Sequence, residues 1–246
     1  LHSTLSRRPR TTVRPCRRLT QVSNSIPMTG EDSLAAYENV RWHPSHEGRP
    51  VLHLDDVSGI PFLDNVPGME AYQHRARVRC NDGDYFAALT APAAGYETYC
   101  REHLDLGTPT FIQAEPYDPM IAVAEACSRG TAFEALCEAA AGAGGLVIHP
   151  YMGIESVWSL AQRVNGRSGA PVSVLAPPPP VTWLANDKLR FKELVRSTLG
   201  DEFVLPGFAG SDRFALARAA AQLSNEHEFL VFKRLRCASA MGNRVM

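Results

Sequence analysis

The sequence predicts an α/β protein built on a parallel sheet, and three observations point there. Short apolar runs recur along the chain, the first with β-branched ends. They alternate with amphipathic or alanine-rich segments of ten or more residues, the pattern of strand–helix–strand crossovers. The chain has 246 residues, 45% of them hydrophobic, enough for one large domain or two modest ones with real cores.

The elements follow in order. Pro50–Val57 is a first buried strand, bounded by Gly48 and Gly59, with two acids, Asp55 and Asp56, near its C-terminal end. In open α/β sheets the carboxyl edge is where ligands bind; the plainer role for these acids is to cap the next turn. Met69–Val78 is mixed in character. Asp82-Gly83-Asp84 is a turn, and Tyr85–Leu89 is a second strand. Tyr96–Leu106 has helical spacing and stops at Gly107, a C-cap position. Thr110–Ala114 is a third strand. Asp118-Pro119 reads as N-cap and first helical residue of a helix packing Ile121, Ala122, Val123, Ala126 and Cys127. A helix over Thr131–Ala143 leads to a fourth strand, Leu146–Pro150. Ile154–Val164 is amphipathic, and Val172–Ala176 is a fifth strand. His149 and Tyr151 fall on the ligand edge, where either contacts a substrate or a neighbouring domain, or His149 serves as a satisfied structural histidine.

Pro177–Pro180 reads as a stiff polyproline spacer closing a first domain, 28–180. Beyond it, Leu189–Leu199 has one apolar helical face and Gly200 closes it. Asp212–Leu223 is an alanine-rich helix, and Glu228–Arg236 is a final strand carrying Lys233.

Residues 1–27 contain six arginines and no acid, so the remainder carries a net charge of about −7 within a total of −1. This stretch resembles a transit peptide or a phosphate-touching arm, and reads most simply as a disordered basic leader outside the fold. Met28 is a natural start. The modest net charge gives no field for nucleic acid or a membrane surface. No apolar run reaches the ~18–20 residues needed to cross a bilayer. The six cysteines are scattered without a C-x-x-C pair, as expected of reduced thiols. The expected location is cytoplasmic.

Several chemistries are excluded. No Gly-Lys-Ser/Thr occurs, so there is no Walker A loop. Gly142-Ala-Gly-Gly145 precedes its strand, the wrong order for a dinucleotide fingerprint. Neither H-E-x-x-H nor G-x-S-x-G is present.

Two stretches remain: Pro177–Lys188, ending in Asp187-Lys188, and Phe229–Asn243, with Lys233 before Ala238-Ser239-Ala240-Met241-Gly242. Together they resemble the ATP-grasp superfamily of ATP-dependent carboxylate–amine ligases, across most of Val51–Met246. The Ser-Ala-Met-Gly-Asn variant looks closest to members that build peptides and natural products. The resemblance implies a Rossmann-like preATP-grasp domain over 28–180 and the N-terminal part of an ATP-grasp domain over 181–246. It implies that Lys188 and Lys233 contact ATP, and that the loop with Ser239, Ala240, Met241 and Gly242 closes over the phosphates. A lysine ammonium is a compact charge for triphosphate oxygens, and small residues let backbone N–H groups approach them. Small-molecule carboxylate and amine substrates are implied, with Mg²⁺ as the family's metal. The family's Mg²⁺ ligands lie C-terminal of the lysine strand, so none is assigned here, and the chain as written is expected to lack complete ligase chemistry. Two alternatives stand beside this: a non-catalytic nucleotide-binding α/β protein, and a Rossmann-type transferase using Asp55, Asp56 and His149.

Overall fold

The computed structural model describes residues 41–42, 48–237 and 242–246. Six parallel strands form the main sheet: β1 (Arg41–Trp42), β2 (Val51–Leu54), β3 (Tyr85–Ala88), β4 (Thr110–Gln113), β5 (Leu146–Pro150) and β6 (Val172–Val174). Their spatial order is β1-β6-β5-β2-β3-β4. Counted from β2, the five strands other than β1 run 3-2-1-4-5, the Rossmann-like order. The five strands expected from the sequence are all present; β1 is additional. A sheet covered on both faces buries every position, which explains runs such as Val51-Leu-His-Leu54, buried throughout.

One face carries Leu52, Leu54, Leu146, Ile148, Val172 and Val174. They pack beneath α2 (Val123–Ala126), α3 (Gly130–Gly142) and α4 (Glu155–Ser168), which contribute Val123, Leu136, Val157, Leu160 and Val164. Full burial of each such side chain contributes roughly 1.5–3 kcal/mol before entropy is counted. On the other face Phe86 and Phe111 stack at 4.8 Å. A 3-10 stretch over Met69–Arg79 covers them with Ala76.

Three local expectations are corrected by tertiary structure. The first helix, α1, ends earlier, at Tyr96–Glu102. Gly107 is not its cap: a Cβ there would lie 2.3 Å from the Asp82 backbone nitrogen, so this glycine lets two segments cross. Its carbonyl accepts from the buried Arg77 Nη2 at 2.9 Å, while Arg77 Nε donates to Glu97. Asp118-Pro119, a cis peptide, does not start a helix; α2 begins at Val123. The Ala124 N–H donates instead to Asp56 Oδ2 at 2.8 Å, across 68 residues of sequence. The proline run is not a spacer throughout. Pro178 is extended and Pro179 and Pro180 open α5 (Pro179–Asn186), because proline's fixed φ suits a first helical turn.

Beyond α5, α6 (Lys188–Leu199) and α7 (Arg213–Leu223) start at Asp187 and Asp212, whose carboxylates accept the first backbone N–H groups. Of the expected strand Glu228–Arg236, only β7 (Val231–Phe232) is regular, paired antiparallel with β8 (Arg244–Val245). Among the described residues no helix is long and apolar enough to cross a membrane.

Candidate functional site at the sheet's switch point

Strands β2 and β5 lie side by side, and connections leave them in opposite directions to β3 and β6. Such a switch point opens a crevice at the strands' carboxyl ends. A cleft of about 530 Å³ lies there, within the range of small-molecule sites. Its walls come from Gly59–Pro61 after β2, Pro150–Gly153 at the end of β5, and Leu175–Pro177 after β6. Side chains of α5 and the Arg236–Cys237 segment complete it.

Two glycines make these walls possible. A Cβ on Gly153 would stand 2.1 Å from the Pro177 carbonyl oxygen. One on Gly59 would stand 2.8 Å from Ile154 Cγ2 and 3.1 Å from the Trp183 ring. Neither has a positive φ; close approach alone demands glycine. Trp183 is fixed from behind, since its Nε1–H donates to Glu155 Oε1 at 2.6 Å. The Arg236 guanidinium lies 5.2 Å from its ring centroid. Arg236 Nε donates to Asp187 Oδ2 at 3.1 Å, while Oδ1 of the same carboxylate caps α6.

Lys188 follows directly. Its backbone N–H donates to the Leu235 carbonyl at 3.2 Å. Its ammonium donates to the Leu235 carbonyl at 3.2 Å and the Cys237 carbonyl at 3.1 Å. The first turn of α6 and the segment leading into the small-residue loop are thus held together across almost fifty residues. Lys233 is exposed just after β7 and does not line the cleft. Ser239, Ala240 and Met241 lie outside the described residues. Gly242 turns with φ +74° into β8, and a Cβ there would meet the Arg234 side chain at 2.6 Å.

The strand-end acids are committed to the fold. Asp56 Oδ1 accepts from the Ser58 N–H at 2.9 Å and its hydroxyl at 2.5 Å. Burial holds the Asp56 carboxyl above the usual carboxylate range, against these hydrogen bonds. Asp55 is paired with Arg79 at 2.6 Å and Arg75 at 3.3 Å. His149 faces His53 across the β5–β2 pairing, ring centroids 5.2 Å apart. Burial lowers the pKa of His149, helped by Arg79. Tyr151 lines the cleft, with the Arg75 guanidinium 4.9 Å from its ring centroid.

Sequence reasoning did not single out His53, Trp183 or Arg236. His53 is 4% exposed; its Nε2 lies 3.5 Å from Asp84 Oδ2, and neither ring nitrogen completes a hydrogen bond with a described residue. Burial first, then Arg79, lowers its pKa to about 4. The available signal was a histidine inside an apolar strand run, matched by a second at the same register.

Together these features define the class: a Rossmann-like α/β protein with a small-molecule-sized cleft at its switch point. No family model matches the chain, and no curated protein matches it. Among the described residues no group of three or more His, Cys, Asp or Glu side chains could hold a metal ion. Among the described residues the cleft lining contains no carboxylate, so those residues do not fit Mg²⁺.

Proposed function

We propose that this chain binds ATP as an ATP-grasp carboxylate–amine ligase does, with Lys188, Lys233 and the loop through Gly242 around the phosphates. The observation that supports this most is the Lys188 ammonium seated on the carbonyls of Leu235 and Cys237. Residues singled out from two distant stretches meet there, beside a cleft at the ligand edge of a Rossmann-like sheet. An ammonium has three donors. Two go to carbonyls among the described residues, which leaves the third for a phosphate oxygen. ATP supplies a phosphoryl group that activates a carboxylate toward an amine. The chain's own part is to hold the phosphates and, with the small-residue loop, to keep water from the activated acyl group. The buried thiols of Cys80, Cys100, Cys127 and Cys137 suit the reducing cytoplasm, the location we assign.

The transferase alternative is less well supported, because Asp55 and Asp56 are occupied by Arg75, Arg79 and backbone N–H groups. Calorimetric titration with ATP tests the proposal. Saturable binding is expected, weakened about tenfold or more in Lys188→Ala and in Lys233→Ala. Binding that ignores both substitutions, or no binding, contradicts it.

A further inference from the structure

The cleft beside the proposed ATP site has a chemical character of its own. Among the described residues, Arg236 is the one charged side chain in its lining. Asp187 holds Arg236 at Nε, and the two terminal nitrogens make no hydrogen bond with described residues. A guanidinium fixed at one corner presents its remaining N–H pair as a fork, the geometry that accepts a carboxylate bidentately. Trp183 lies beside it, its indole N–H spent on Glu155, so the ring is a fixed flat surface at the cleft wall. Much of the remaining lining is apolar, including Ile60, Met152, Leu175 and Val181. One cation in an apolar cleft matches one negative charge on an apolar body. A triphosphate calls for several cations, and neither Lys188 nor Lys233 is in this lining.

We propose that the cleft receives a small-molecule carboxylate with a flat apolar body, its carboxylate on Arg236 and its body against Trp183. This rests on the ligase reading for its place in a reaction, as the site of the carboxylate substrate. It rests on the cleft alone for its chemistry.

The test is fluorine NMR on the full chain with 4-fluorobenzoate as probe and 4-fluorobenzamide as its neutral counterpart, with ATP titrated separately. The benzoate is expected to bind saturably and at least about tenfold more tightly than the amide. Arg236→Gln should remove that preference and Arg236→Lys should restore part of it, since the charge returns without the fork. Arg101→Gln, on α1 and outside the cleft lining, should leave it unchanged. The urea midpoint of each variant reports whether the fold is kept. Equal binding of the two probes, no binding tighter than about 1 mM, or a preference that survives Arg236→Gln in a folded protein overturns the proposal. If ATP binds through Lys188 and Lys233 while the benzoate preference ignores Arg236, this inference fails and the ATP reading stands. If ATP does not bind but the preference tracks Arg236, the ATP reading fails and the cleft assignment stands.

Discussion

The sheet region and the α6–β8 region are held together in different ways. In the first, strands and helices share one apolar core, with Leu52, Leu54, Leu136, Ile148, Val157 and Leu160 wholly buried. In the second, Ala219 is the one buried hydrophobic residue among those described, while Phe191, Leu199, Phe203, Phe214 and Phe229 are exposed. Its order comes from caps and ties: Asp187 and Asp212 at helix starts, Arg196 between Glu193 and Asp201, and Lys188 on two carbonyls. Hydrophobic burial is the larger stabilising term, and a hydrogen bond adds only about 0.5–1.5 kcal/mol net. The first region therefore holds most of the stability that comes from burial, and the second depends on few, individually weak contacts.

Substitutions of graded effect test that contrast. The largest loss should come from Leu160→Ala, which opens a cavity in the main core and should cost about 3–5 kcal/mol in urea unfolding. Next is acid. Between about pH 4 and 6.5 the unfolded chain protonates His53 and the folded chain does not. Stability should thus be fully present above pH 6.5 and fall as pH drops through that window. His53→Leu should remove on the order of 2 kcal/mol of this loss, with the contribution of His149, whose pKa is lowered in the same direction, remaining. Asp187→Ala, which unties both the α6 cap and Arg236, should cost about 1 kcal/mol, read as lost helicity and not as loss of the sheet. Phe214→Ala should change stability by less than about 0.5 kcal/mol. A cost near that of Leu160→Ala would show an apolar core in the second region and break the contrast.

The same difference explains what the sequence disclosed. The five main strands were legible because buried parallel strands write themselves as short, largely apolar runs. Arg41–Trp42 was not, since two residues, paired to β6, carry no periodicity. Gly107 and Asp118-Pro119 misled because a local signal has a tertiary competitor. Glycine serves close crossings as well as caps, and the N–H of α2 found its acceptor in Asp56, far away in sequence. The proline run reads as a spacer only if proline's place in a first helical turn is ignored. At the site, Asp187-Lys188 was visible as a helix start. Trp183 and Arg236 were not, because their meaning lies in being brought together across more than fifty residues.

Amide hydrogen exchange with and without ATP tests the account most directly. Without ATP, amides of β2, β3, β5 and β6 should exchange only through global unfolding, and those of α6, α7 and β7 through much smaller openings. ATP should slow exchange in the first turn of α6 and over 231–237, and leave the sheet unchanged. Equal protection of both regions without ATP, or an unaltered 188–237 segment with it, would contradict the account.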